Sequence, residues 1–459
     1  MTPELTFLGH QGWAVETEMG AVLIDPLEEA MGNGACRLPV WPERRLNFNK
    51  LGTITELVIS HEHSDHFDLE TIWRLPYRGT VHIPDLSSDA MEAALAQMGF
   101  SVRRMRRFEE VELSGGLRLM PLPIVENIFE RDVYGMLVHS GEWSFLTLVD
   151  GLLAPDSMTW LAANCPCRTI DNYTNNATEM LPHLHGGSSC AAFALGRATL
   201  ALIEYVEQIR PLKVVISGQG WCFSAPHEQL NRMFFPVASE ALARIGQQLY
   251  PFIQWTVGLP GQKFAADMSI VTANYIESKS SRERVYDANV EWVGPTMPWT
   301  GDVRLSPEAL DDLIGFITGE FSDILAVHAE GLLEGVMRAR GRDSAIRPVI
   351  GLRLLDESGA RHFVNAGFGF TPDFSTGNFR MTSAVGIEIW ASDLLCLAKG
   401  EDEAFLVYES SVRRWNNIED VYELPVVIEL FAGLCPQMRT KTYAAAYASR
   451  LEAIATSGA

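Results

Sequence analysis

In the stretch LVISHEHSDHFD, residues 57–68, an apolar run leads straight into His61, His63, Asp65 and His66. Imidazoles and carboxylates that leave water need partners, and a metal ion would serve all four side chains at once. The i, i+2 spacing puts His61 and His63 on one side of an extended segment. Asp65 and His66 follow where the chain must turn, so they can face a second ion a few ångströms away. Neutral imidazoles mixed with carboxylates suit zinc, iron or manganese.

The elements that position this cluster are readable from hydrophobic period. LTFLG, WAVET and AVLIDP read as three short strands over residues 4–25, with a turn at Met19-Gly20. Residues 26–52 are rich in Gly, Pro, Asn and Arg and read as a long loop. ELVIS (56–60) is a continuous apolar strand, with the histidines at its C-terminal end. TVHIP follows as a strand, then a helix DAMEAALAQM capped by Ser87 or Ser88 and ended by Gly99. SVRRM, EEVEL, LRLMPLP, YGMLVHS and WSFLTLVD continue as strands, and a helix over 191–209 precedes the strand KVVIS. Two sheets with helices outside satisfy this order. Beyond about residue 240 the pattern changes. Helical period over 306–340 gives way to the strands RPVIGLRLLD, RHFVNAGFGF and VGIEIWA, and then to a short helix SDLLCLAKG.

HEHSDH matches the H-x-H-x-D-H signature of the metallo-β-lactamase superfamily, and GHQGWAVET and AVLIDP, with Asp25, resemble that fold's opening. The resemblance covers residues 1–240. It implies an αββα metallo-β-lactamase sandwich with a dinuclear metal site along one edge; the pattern over 241–459 reads separately as an accessory α+β domain for substrate, partner or dimer contacts. It also implies three further ligands: a histidine, a bridging aspartate and a last histidine. Asp150, at the end of WSFLTLVDG, is similar to the bridging carboxylate. Where the third histidine belongs, the segment after LRLMPLP holds Glu126, with Glu130 as a competitor, and no histidine before His139 inside the next strand. For the last ligand, His183 and His185 in MLPHLHGG are the candidates, with His227 as a third. His10 lies beside the site in the first loop, either as a donor to a ligand or as an ordinary loop histidine.

Glu126 in the place of a histidine resembles the diiron oxygenases built on this fold, the β-hydroxylase of chloramphenicol biosynthesis type. Carboxylates are hard donors that tolerate changes of iron charge. The resemblance implies a diiron, O2-dependent oxygenase acting on a small-molecule or carrier-bound substrate, with Asp65, Glu126 and Asp150 as the site's carboxylates. No flavin, haem or Rieske motif is visible, so a separate electron donor is implied. The alternative is a dinuclear zinc, manganese or iron hydrolase of an ester, thioester, lactone or phosphodiester, with Asp65 orienting the nucleophile. A non-catalytic binding module is disfavoured by the intact signature. Trp13, Trp41, Trp221, Tyr134 and Phe129 are candidates to line an apolar substrate pocket, though packing would also account for each.

The bulk numbers bound these readings. At 459 residues the chain exceeds one ordinary core, so two domains are expected. A formal charge of −22 argues against nucleic acid or an anionic membrane as the main partner. The basic knot Arg103, Arg104, Arg106 and Arg107 is read as a solvated edge. Neither a secretory signal nor an apolar run long enough to span a bilayer is visible. Seven scattered cysteines do not make a disulfide framework, which fits a cytoplasmic setting. A homodimer is compatible with this half-and-half organisation.

Overall fold

A computed structural model of the chain describes residues 2–34, 37–125, 132–141, 143–165, 172–176, 184–185, 191–218, 220–223, 228, 231, 239–265, 269–278, 297–299, 304–319, 346–365, 369–374, 379–399, 413–417 and 436–457. Glu126, Phe129, Glu130, His183 and His227 therefore lie outside the described residues.

Three main sheets form among these residues. The first has eight strands, in the spatial order Ile270–Thr272, Gln262–Phe264, Glu4–Gly9, Gly12–Thr17, Gly20–Ile24, Ile54–Val58, Thr80–Pro84 and Ser101–Met105. The second has seven: Val111–Glu112, Arg118–Pro123, Tyr134–Ser140, Trp143–Thr147, Asn172–Asn176, Lys213–Ser217 and Gln254–Val257. Side-chain alternation decides how they stack. Leu5 and Phe7, Trp13 and Val15, and Val22 and Ile24 point from the first sheet into one cluster with Leu119, Met136, Val138, Phe145 and Val215 of the second. The opposite parity of the first sheet, Leu8, Ala14, Leu23 and Leu57, packs with the helices Leu69–Arg74 and Asp89–Gln97. The outer face of the second, Leu122, Leu137, Leu146 and Val214, packs with Leu161, Leu202, Val206 and Leu242 of the helices Pro155–Asn164, Ala191–Ile209 and Ser239–Leu249. The layers thus run helix, sheet, sheet, helix: the αββα sandwich of the metallo-β-lactamase fold. Each fully buried Leu, Val or Phe contributes about 2 kcal/mol, so the parity of these strands strongly fixes their register.

The third sheet has the order Leu184–His185, Arg413–Asn416, Ser383–Trp390, Arg347–Asp356, Gly359–Asn365 and Phe370–Pro372. Its inner residues Ile350, Leu352, Ile387 and Ile389 belong to the same apolar cluster as the outer layer of the first sheet. The C-terminal helix Pro436–Ser457 packs on both N-terminal helices, through Tyr443, Tyr447, Leu451 and Ile454. Strands at 254–257, 262–264 and 270–272 join the first two sheets, so those sheets draw on chain from both sides of residue 240.

Some local expectations change. The segment 26–52 is not free of regular structure: Ala30–Met31 pairs with Leu38–Pro39, and Arg44–Leu46 pairs with Ile276–Ser278. Two- and three-residue strands are too short to leave a period in a Pro- and Gly-rich stretch. EEVEL shrinks to Val111–Glu112. The helix beginning at Pro307 runs to Thr318, and 320–345 lies outside the described residues. Arg104 of the basic knot is spent on Asp89 and Glu92, Arg106 on Glu109, and Arg107 lies over the Tyr134 ring.

Candidate metal centre

Two parallel strands, Gly20–Ile24 and Ile54–Val58, end side by side and deliver Asp25 and the histidine turn to one edge of the sandwich. After Ile54–Val58 the chain closes a tight turn, in which the Phe67 amide donates to the His63 carbonyl at 2.7 Å. Asp68 then caps the next helix by accepting from the Thr71 amide at 2.8 Å. From the facing sheet, Trp143–Thr147 leads to Asp150 just past Val149, which holds a positive φ of 55°. The first hairpin ties the two sheets together at this edge. Gln11 donates to the Val149 carbonyl at 3.1 Å and accepts from Ser217 Oγ at 2.8 Å.

Here His61, Asp65, His66 and Asp150 each bring one ligand atom to within 4.8 Å of the others. His66 Nε2 lies 2.9 Å from Asp150 Oδ2 and 3.6 Å from Asp65 Oδ2, and His61 Nε2 lies 3.7 Å from Asp150 Oδ2. His63 stands beside this group, its ring centroid 4.5 Å from that of His61. All three histidines and Asp65 are buried, whereas the Asp150 side chain keeps 22% of its surface open.

The surroundings orient these groups. Asp25 accepts from the Ser60 amide at 2.8 Å and from Ser60 Oγ at 2.6 Å, and its Oδ2 lies 2.8 Å from His66 Nδ1. With Nδ1–H donated to Asp25, the ring is fixed so that Nε2 of His66 faces Asp65 and Asp150. His10 Nε2 lies 2.9 Å from Asp65 Oδ2, while its Nδ1 accepts from the Gly220 amide at 3.1 Å. With Nδ1 as acceptor, Nε2 carries the proton, so His10 acts as a donor to Asp65. Burial disfavours a charged His66, but Asp150, Asp65 and Asp25 outweigh it and hold the imidazole well above its ordinary pKa. Burial likewise would raise Asp65 and Asp150; His66 with its neighbours overcomes this and holds both below the usual carboxylate range.

The donor set fits a metal ion. Two imidazoles and two carboxylates from two separate segments converge, and Asp65 Oδ1 is buried without a hydrogen-bond partner. Leaving such an oxygen unmatched costs about 1–3 kcal/mol, and more for a charged group. The cluster retains its own balance by placing a proton on His66, which a cation would replace.

The other described residues have settings of their own. His185 sits in Leu184–His185, paired with Arg414 and Trp415 of the third sheet. His82 is bonded to Glu56, His139 to Glu110, and His362 stacks on Phe379. Trp13 is wholly buried between Phe7, Phe145 and Phe264, so it is core rather than pocket lining. Tyr134 is also buried, with its hydroxyl on Asp85. Trp41 and Trp221 flank Gly220, the residue bonded to His10. Ser60, Glu62 and Tyr447 were not singled out in the sequence, because no local spacing ties a serine, a glutamate or a distant tyrosine to a histidine turn.

No family model matches the chain. Over 98 residues it is 31% identical to a provisionally named Rieske 2Fe-2S iron-sulfur protein of Mycolicibacterium smegmatis, a match covering 21% of this chain. The matched stretch spans about a fifth (19%) of that relative's length. Among solved structures, similar ones include CmlA, a diiron beta-hydroxylase from Streptomyces venezuelae, at 20% identity and TM-score 0.40. That match covers 56% of this chain and 53% of CmlA, so the chain spans about half of that protein. Igni18, a metallo hydrolase from Ignicoccus hospitalis, gives 18% identity and TM-score 0.37, covering 57% of this chain and 97% of its own. These distant likenesses say nothing of the reaction. The chain has the αββα architecture of the metallo-β-lactamase fold, with a histidine–aspartate cluster at the edge where its two sheets meet.

Proposed function

We propose that this chain is a dinuclear metalloenzyme, and within that class a diiron, O2-dependent oxygenase of a small organic or carrier-bound substrate that takes electrons from a separate donor. The observation that carries the metalloenzyme reading is the convergence of His61, Asp65, His66 and Asp150 at the strand ends. The residues that would hold the pair are these four, with His63, Glu126 and one of His183 or His185. When bound, the metal pair supplies Lewis acidity and, as iron, redox capacity.

Glu126 is what favours an oxygenase. Its described neighbours support it as a donor: the Val125 amide donates to the Leu152 carbonyl at 2.6 Å, close to Asp150, and Asp132 accepts from the Glu62 amide at 3.1 Å. Val125 and Asp132 thus bond to chain two residues from Asp150 and between His61 and His63. The protein's own work is to hold His66 in one tautomer through Asp25, and to hold Asp65 through His10. It also keeps His61, His63 and Asp65 away from bulk water. A hydrolase is the second reading, favoured by Asp65, whose His10-held carboxylate is placed to orient a water.

Metal analysis of protein produced in iron-replete medium tests the proposal. Two irons per chain and substrate-dependent O2 consumption after reduction are expected. Two zincs together with turnover of an ester or thioester without oxygen would establish the hydrolase instead. Glu126→Ala should lower metal occupancy while Glu130→Ala leaves it intact, and the reverse would remove the argument for the oxygenase.

A further inference from the structure

Glu62 stands between His61 and His63, and its side chain is as buried as theirs, at 1% exposure. Its carboxylate lies at the N-terminus of the helix Asp89–Gln97. There Ser88 Oγ donates to Glu62 Oε1 at 2.5 Å, the Ser88 amide donates to Oε2 at 3.1 Å, and the Tyr447 hydroxyl donates to Oε1 at 3.1 Å. The Glu62 amide is itself fixed by Asp132. Tyr447 belongs to the C-terminal helix Pro436–Ser457, 385 residues further along the chain, and is 1% exposed. Its ring meets Phe67, the residue after His66, edge-on at 5.5 Å. One turn on, Arg450 pairs with Glu70 of the helix that follows the histidine turn.

We infer that the C-terminal helix is a positioning element of the metal centre: Tyr447, acting through the Glu62 carboxylate, sets the backbone from which His61 and His63 project. This inference rests on the metalloenzyme reading. The carboxylate is held by three donors from two helices, so it cannot rotate without breaking charge-assisted bonds. Because Glu62 shares its peptides with both histidines, fixing its side chain fixes theirs. Tyr447 acts through Glu62 and is a positioning residue, not a catalytic one. The helix also packs on the helix Ala391–Lys399 beside the third sheet. It therefore joins the accessory sheet to the ligand turn by direct contact.

The test compares wild type, Tyr447→Phe, Glu62→Gln and the double variant as full-length chains. Metal affinity is measured by competition with a chelator, and ligand geometry by the visible absorption of the cobalt-loaded protein. The melting temperature of the metal-free protein serves as the control for folding. Tyr447→Phe keeps the ring contact with Phe67 and loses one hydroxyl. It should weaken metal binding by roughly tenfold, the lower end for residues that orient ligands, and shift the cobalt spectrum while leaving the metal-free melting temperature nearly unchanged. In the double variant the loss should be no greater than in Glu62→Gln alone, since the tyrosine acts through that carboxylate. Wild-type affinity and spectrum in Tyr447→Phe would overturn the inference. So would losses that add in the double variant, or a loss of affinity that only tracks a loss of fold. A wild-type protein that binds no metal pair would instead overturn the metalloenzyme reading, and this inference with it.

Discussion

His66 shows how single residues divide the work at this site. Its Nε2 faces Asp65 and Asp150, and its Nδ1 is claimed by Asp25, which also holds Ser60. Asp25 adopts a positive φ of 43°, which asparagine tolerates well. Asp25→Asn should therefore keep the backbone while weakening the anchor on His66. Metal affinity should fall by about 10–100-fold, measured by chelator titration; unchanged affinity would mean that Asp25 does not set the ring. Gly9 is needed for a different reason. Its φ is +111°, and a Cβ there would lie 2.5 Å from Arg44 Cζ. The Arg44 guanidinium, 1% exposed and pushed by burial down to about 9, has no room to swing aside. Gly9→Ala should cost about 2–3 kcal/mol from strain and overpacking together, read as a lower denaturation midpoint. What was legible at this scale was what lies together in the chain. His61 to His66 are contiguous and announce themselves. The pairs His10 with Asp65, Asp25 with His66 and Glu62 with Tyr447 span 55, 41 and 385 residues, and no local spacing encodes them.

Among the elements, those that carry the site were legible because their burial is periodic. Gly12–Thr17 and Gly20–Ile24 alternate between two cores, and Ile54–Val58 is covered on both faces by helices and the facing sheet. The short strands between residues 30 and 46 carry no such period, and the pairing of Leu184–His185 with the third sheet depends on partners some 230 residues away (414 minus 184). The strand Ile54–Val58 also holds a buried anchor. Glu56 lies 2.5 Å from His82 Nε2 and accepts from the Ser114 amide at 2.6 Å and Ser114 Oγ at 2.8 Å. Burial would raise the Glu56 pKa, but His82 and Ser114 prevail and lower it. A carboxyl with a depressed folded pKa contributes stability above its unfolded value, and that contribution fades as pH falls through the folded value. Glu56→Gln should therefore destabilise the protein at neutral pH by about 1–2 kcal/mol. The difference from wild type should shrink in acid, below the ordinary carboxylate range. Urea midpoints measured across that range decide it: a gap that stays constant with pH would show that the charge of Glu56 contributes nothing.

At the scale of the whole molecule, apolar packing crosses the boundary near residue 240 that the sequence patterning suggests. One continuous cluster joins Leu57, Phe67, Met91 and Leu95 of the first sheet and its helices to Ile350, Leu352 and Ile387 of the third sheet, with Tyr447 and Leu451 of the C-terminal helix between them. Domains that meet over a small polar interface move and unfold separately, whereas a large apolar interface couples them. The side chains where the two parts meet would be exposed if either half opened alone, at about 2 kcal/mol apiece, so half a dozen match the marginal stability of a typical domain. The two halves should therefore unfold together. Hydrogen exchange followed by mass spectrometry in rising denaturant checks this strand by strand. The amides of Ile54–Val58 and of Ser383–Trp390 should lose protection at the same midpoint, and deleting residues 436–459 should lower both midpoints in parallel. If Ser383–Trp390 opened first while Ile54–Val58 stayed protected, the shared cluster would not bind the halves into one unit. The C-terminal helix would then stabilise only the sandwich on which it lies.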